Sequence, residues 1–422
     1  MGDIRYDQDD IATSATGFQP DDPVVVPALT FLREGDDVVI GRHETGSYAV
    51  VPADTVDVLH RLVDGSTPRE AGDWYAARYD EEIDVLSMLD DLVEIGVLDP
   101  PGTAVVPPAD SKPVRWQRLG TVAFSPVAMV GYGLVLTAGV LTAWAQPDLR
   151  PDYADIFFTD YLTLVAVVLA VGQWPFIFLH EAAHALAGRR LGLATKLTFS
   201  HRLQYLVFET SMDGLVTVPR RRRWVPMLAG IGVDLIVMAL LTLAAAAMRE
   251  PDGSLPLAAR ILLAISFGTM LRILWQFFFY LRTDIYYLLS LVLGTVNLHQ
   301  AATLLLRRRL RQLWRQPPPG DGEEPDIHPT DRQAARWYVW FMVLGYAITL
   351  ATLVFAIVPL AVAMISEAIA ELDGRAGAVN LIDSAVILAL AVGQLGLVVF
   401  LAIRNRRQQA APSRTTPAAV SR

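Results

Sequence analysis

The chain has 422 residues, 53% of them hydrophobic, with a mean hydropathy of +0.37 and a formal net charge of −9. That is too apolar for an ordinary soluble enzyme and long enough for two or more units, and the acidic balance argues against a nucleic-acid partner. There are no cysteines, so disulfides and thiolate metal sites are excluded and any metal must be held by His, Asp and Glu.

Residues 1–23 read as a disordered acidic N-terminus, Asp3 to Asp22, with neither the basic nor the apolar stretch of a cleaved signal peptide. Residues 24–99 read as a small separate domain. Apolar alternation predicts strands over Val24 to Leu32, Val38 to Arg42 and Ser47 to Val51, with a turn at Gly35-Asp36-Asp37. Helical spacing then predicts Ala53 to Val63, a second helix capped by Ser66 or Thr67 that runs through Tyr79, and a third over Glu81 to Ile95 that ends at Gly96. The proline-rich stretch 100–118 is a linker.

Beyond the linker, long apolar runs define a membrane core over 119–306, a loop over 307–335, a helical pair over 336–404 and a disordered tail over 405–422. The expected spans are Thr121 to Ala145, Leu162 to Ala187, Val225 to Met248, Ala258 to Leu281, Trp337 to Met364 and Ile382 to Ile403. The segment Ile285 to Leu306 reads equally as a span and as a re-entrant or interfacial helix. The fold class is therefore mainly α: a polytopic α-helical membrane protein of about six spans with a small N-terminal α+β, winged-helix-like domain. Basic residues cluster around Lys112 to Arg118, Arg189 to Arg202, Arg220 to Arg223, Arg307 to Arg309 and Arg404 to Arg407, whereas the alternate loops are acidic or mixed. The positive-inside rule then puts both termini of a multi-pass cell-membrane protein in the cytoplasm, and the C-terminal end of the second span and Asp284 on that same side.

His180-Glu181-Ala182-Ala183-His184 closes the apolar stretch from Tyr161 to Leu179. Two histidines one helical turn apart, with a carboxylate beside the first, form the HExxH zinc signature: both imidazoles face one side of a helix. His180 and His184 are the first two metal ligands and Glu181 is the general base. The third ligand must come from elsewhere. Depth in the membrane favours Asp284, with Asp234, inside the third span, as the runner-up and Asp213, His201 and His299 behind it. Arg282, Tyr286 and Tyr287 would lie near enough to stabilise an oxyanion or orient substrate. His43, His60 and His328 fall outside the site. Between the second and third spans, Asp213-Gly214 is read as the turn of a hairpin formed by Lys196 to Phe208 and Leu215 to Val218.

The HEAAH motif on a membrane helix, a carboxylate about a hundred residues later and the small-residue stretch Ala229-Gly230-Ile231-Gly232 between them resemble the site-2 protease family of intramembrane zinc metallopeptidases. The resemblance covers Leu162 to Leu306. In that family the third ligand is an Asp usually followed by Gly, and the intervening helix usually carries an Asn; here Ile285 follows Asp284, and Asp234 stands about where the Asn would be. Leu281-Arg282-Thr283-Asp284 with Tyr286-Tyr287 looks more like the branch associated with modified-peptide and bacteriocin gene clusters. Three strands followed by three helices, with Leu62 to Thr67 between the first two helices and Leu92 to Leu98 at the end, resemble the PqqD-like peptide-recognition domain, which binds a leader peptide as an added strand. A winged-helix DNA binder is disfavoured by 17 acidic against 5 basic residues over 24–99. The resemblances imply a zinc-dependent endopeptidase, with Zn2+ as cofactor, that acts on a peptide or membrane-protein substrate in the lipid bilayer. The alternative is a non-proteolytic metal-binding membrane protein that serves peptide export or self-immunity. With no GxxxxGK[ST] in the chain, export would draw its energy from a partner.

Overall fold

The computed structural model describes residues 14–35, 37–42, 47–103, 114–202, 205–212, 214–295, 297–315 and 329–352, with isolated positions beyond. Its contacts divide the chain into two compact units. One gathers Met1–Ala123, Ala185–Lys196 and Ser211–Pro226; the other gathers Phe124–His184, Leu197–Thr210 and Met227–Arg422.

In the first unit, β1 (Thr30–Glu34), β2 (Asp37–Arg42) and β3 (Ser47–Pro52) form an antiparallel meander with Val39 opposite both Leu32 and Val50. The first strand starts six residues later than the alternation suggests. Pro23 and Pro27 lack the N–H that a ladder needs, so Val24, Val26 and Leu29 pack against the core without pairing. Three helices follow: α1 (Ala53–Val63), α2 (Pro68–Tyr79) and α3 (Val85–Glu94). Thr67 and Glu70 make a reciprocal capping box around Pro68, which fixes the start of α2. Asp84 caps α3, so that helix begins four residues beyond the expected Glu81. Val38 and Ile40 face the core built from Val58, Leu59, Leu62, Leu89 and Leu92. The opposite face of β2 is covered by the single 3-10 turn Leu215–Thr217, where Thr217 packs onto Gly41 and Tyr48 onto Gly214; a side chain at Gly41 would meet both Tyr48 and Thr217. From Ser14 onward the N-terminal segment is not free: Asp90 of α3 accepts from the Ala15 and Thr16 amides, and Phe18 is buried.

The remaining elements are α4 (Gln117–Ala123), α5 (Pro126–Ala145), α6 (Leu162–Arg190), α7 (Arg220–Ala247), α8 (Leu257–Trp275), α9 (Asp284–Leu293), α10 (Leu298–Leu313) and α11 (Pro329–Thr352). Five of them, α5, α6, α7, α8 and α11, are long and apolar enough to cross a membrane, and α9 with α10 makes a sixth only if their 88° bend is counted as one broken span. Small residues let these helices approach: Gly139 lies against Ala239 on α7, and Gly172 against Ile265 on α8. Helix α8 stops at Trp275, short of the expected Leu281, and a 3-10 turn over Phe279–Leu281 follows. The expected loop over 307–335 is partly helical, because α10 continues to Leu313 and α11 starts at Pro329. Most of the expected span Ile382 to Ile403, and of the part of Trp337 to Met364 beyond Thr352, lies outside the described residues.

Strands β4 (Thr195–Arg202) and β5 (Tyr205–Met212) pair as a hairpin. The paired strands both precede Asp213-Gly214, so the hairpin is not the one the sequence suggests around that dipeptide. Gly214 does take the positive φ that Asp-Gly advertises, +84°, but it uses it to leave the sheet and open the 3-10 turn.

Candidate metal centre

His180 and His184 share one face of α6, and their Nε2 atoms are 3.2 Å apart. Asp284 closes the group: its Oδ2 lies 3.2 Å from Nε2 of His180 and 3.1 Å from Nε2 of His184. With one atom from each residue, all three lie within 4.8 Å of one another, a group able to hold a metal ion. Both histidines are buried at 4% exposure, while the Asp284 side chain is 23% exposed and marks the more open edge.

Asp284 is delivered by the break after α8. Arg282 adopts a left-handed φ of +60°, the Thr283 hydroxyl donates to the Gln276 carbonyl at 2.6 Å, and the Asp284 amide donates to Gln276 Oε1 at 3.1 Å. One glutamine thus holds both ends of the loop. The carboxylate then sits in the first turn of α9, where the exposed N–H dipoles favour a negative charge.

Asp234, the runner-up ligand, stands outside the group. It takes the other ring nitrogen of His180, with Oδ2 2.9 Å from Nδ1, and is itself gripped by Arg272 through Nη2 at 2.6 Å and Nε at 3.1 Å. Gly230 lies one turn before Asp234 on α7. A Cβ there would fall 2.3 Å from His184 Nε2 and 2.4 Å from His180 Nε2, so only glycine lets this helix pass so close to the imidazoles.

Glu181 is almost fully buried, and the Thr210 hydroxyl of β5 contacts its Oε2 at 2.8 Å and its main-chain carbonyl at 3.0 Å. Arg272 offsets Asp234, which leaves Glu181 and Asp284 as two carboxylates beside imidazoles that are neutral when they act as ligands. A divalent cation among the three converging atoms would balance that charge.

Among the described residues, the other sequence candidates do not join this group. The His299 main-chain amide donates to the Tyr286 hydroxyl at 3.1 Å and its imidazole packs edge-on against Tyr286 and Tyr338, so His299 and Tyr286 belong to the packing of α9, α10 and α11. Tyr287 is partly exposed on α9, and His60 stacks against Phe31 in the first unit. Asp213, the His201 side chain, His43 and His328 lie outside the described residues. Arg272, Gln173 and Thr210 escaped the sequence reading. For Arg272 a signal existed: an arginine inside the apolar run of α8 needs a partner, and Asp234 inside α7 needs one too.

No protein-family model, no curated protein and no solved structure matches this chain.

Proposed function

We propose that this protein is a membrane-embedded zinc endopeptidase, of the kind its motif resembles, acting on a peptide or membrane-protein substrate recruited by the N-terminal domain. The observation that carries this reading is the convergence of His180, His184 and Asp284 beside an acid that is not itself in the ligand group, Glu181. The donor set fits zinc. Metal–nitrogen distances of about 2.0–2.1 Å in a tetrahedral site put neighbouring ligand atoms roughly 3.3 Å apart, and the observed separations are 3.1 and 3.2 Å. Three protein ligands leave one position open, the hallmark of a catalytic rather than a structural site.

When bound, zinc supplies a Lewis acid that polarises a peptide carbonyl and makes water a better nucleophile near neutral pH. Glu181 accepts the water's proton at its carboxylate and returns it to the leaving amine nitrogen. Thr210, through its contact with Oε2, fixes the direction in which that carboxylate faces. Burial keeps bulk water from the scissile bond, and the open edge beside Asp284 is the side from which an extended substrate enters.

Recruitment falls to the sheet of the first unit. Its outer strands, β1 and β3, have main-chain groups on which an extended peptide can be added as a further strand, and its acidic surface selects basic or neutral partners. The distribution of arginines supports a cytoplasmic location for both that domain and the metal site.

The test uses full-length protein in detergent, with zinc measured by mass spectrometry and cleavage read as new termini in a peptide library made from digested cell protein. Glu181→Gln is expected to keep stoichiometric zinc and lose all zinc-dependent cleavage, while His180→Ala loses the zinc. Cleavage by Glu181→Gln equal to that of the unaltered protein overturns the proteolytic mechanism. A metal-free protein overturns the zinc site and favours a role in export or self-immunity.

A further inference from the structure

We infer that Asp234 and Arg272 are positioning residues, an ion pair buried within the helices that fixes the tautomer and aim of His180. This rests on the metal-binding reading above and says how the first ligand is set.

The argument starts from hydrogen-bond inventory. Asp234 accepts two bonds from the Arg272 guanidinium, Nη2 to Oδ1 at 2.6 Å and Nε to Oδ2 at 3.1 Å, the side-on fork that matches an ionised carboxylate. An ionised carboxylate has no proton to give, so the 2.9 Å contact with His180 requires Nδ1–H as the donor. In a neutral imidazole this leaves the lone pair on Nε2, which is the atom that faces Asp284 and His184. The carboxylate decides which nitrogen is a ligand.

Arginine completes that role. Asp234 is fully buried in an apolar helix, where a carboxylate needs a cationic partner. Arg272 keeps it charged. Stability alone does not account for such a pair, because a buried ion pair replaced by well-packed neutral groups is often no less stable.

The pair is also clamped from behind. Arg272 Nη1 donates to Gln173 Oε1 at 2.9 Å, and the Gln173 amide donates to the Ile265 carbonyl at 2.8 Å. Gly268 makes room for this, since a Cβ there would fall 2.2 Å from Gln173 Nε2. Gln173 and His180 are seven residues apart, about two turns along one face of α6. The circuit therefore leaves α6 at Gln173, crosses α8 at Arg272 and α7 at Asp234, and returns to α6 at His180. Three apolar helices are locked around one imidazole.

The closing experiment measures Zn2+ affinity of the full-length protein by competition with a chromophoric chelator, alongside the thermal midpoint of the metal-free form. Asp234→Asn with Arg272→Gln keeps charge balance and approximate shape. This double variant is expected to lower Zn2+ affinity about 10- to 100-fold while the metal-free midpoint stays near that of the unaltered protein. Wild-type affinity in the double variant, with affinity lost in His180→Ala, overturns the positioning role alone. Wild-type affinity in both overturns the metal site and this inference with it. A second measurement needs no variant to fold: in zinc-loaded protein labelled with 15N-histidine, the ring proton of His180 is expected on Nδ1, and a proton on Nε2 overturns the proposal.

Discussion

At the scale of single residues the site separates what spacing announces from what only folding assembles. His180, Glu181 and His184 are legible because a four-residue interval on a helix has one geometric outcome. Asp284 is legible more weakly, through the charge pattern that puts it at the same depth as the histidines. Thr210 is not legible at all: it sits among β-rich residues, and nothing local connects it with a glutamate 29 positions earlier. Its contact with Glu181 gives a sharp expectation. Replacing Thr210 with Val removes a hydroxyl that bonds a carboxylate, a contact worth about 1.5–3 kcal/mol. On the proposed peptidase reading, the turnover number is expected to fall roughly 10- to 100-fold at that size of loss, with zinc content unchanged, while Thr210→Ser restores most of it. The check is a comparison of turnover with metal content in the three proteins. Equal turnover in the Val variant would remove Thr210 from the mechanism.

At the scale of elements, periodicity predicts where helices exist better than where they stop. Helix α1 occupies Ala53–Val63, as its spacing predicts, and the cap at Thr67 starts α2. Helix α8 is the counter-example. The apolar run continues past Trp275 without a glycine or proline, yet the helix ends there, because Gln276 bonds the Thr283 hydroxyl and the Asp284 amide, contacts that exist only once the loop has formed. The hairpin expected around Asp213-Gly214 differs from the observed one for a related reason. A positive φ can be read from Asp-Gly, but whether it joins two strands or ends one is set by the pairing partner. Helix packing supplies a stronger element-scale test at Gly230. An alanine there would place its Cβ 2.3 to 2.5 Å from atoms of His180 and His184, so α7 must retreat or the rings must turn away. On the proposed zinc-site reading, affinity for the metal is expected to fall at least 10-fold in Gly230→Ala, whereas Gly232→Ala, whose Cβ would meet open space, is expected to bind zinc normally. Titration with a zinc indicator distinguishes the two, and equal affinity in both variants would count against the close approach of α7.

At the scale of the whole molecule, composition separates the acidic N-terminal residues from the apolar remainder, but it cannot show that Ala185–Lys196 and Ser211–Pro226 belong with them in one unit. Tyr48 against Gly214 and Thr217 against Gly41 tie in the later segment, and Gly120 against the Leu186 carbonyl ties in the earlier one. The same unit should show a defined response to acid. The Thr16 hydroxyl and the amides of Ala15 and Thr16 hold the Asp90 carboxyl below its usual range, Arg42 does the same for Asp99, and Arg69 for Asp21. A carboxyl with a folded value below its unfolded value of about 3.9 contributes stability that is fully present above that value and is lost as pH falls through the lowered one. At the alkaline end, the hydrogen bond to Asp54 pushes the Tyr75 hydroxyl up to about 12, so its contribution persists below about pH 10 and is lost as pH rises toward 12. The unit is therefore expected to stay folded across the neutral range and to loosen below about pH 4. The Asp90 contacts offer the most local readout. Amide hydrogen exchange of Ala15 and Thr16 in the full-length protein, corrected for the intrinsic pH dependence of exchange, should lose protection as Asp90 is protonated. Asp90→Ala should show the unprotected rate already at pH 7, while the amides of β2 remain protected. Protection of Ala15 and Thr16 that survives this substitution would mean that Phe18 and its neighbours hold the segment without the carboxylate.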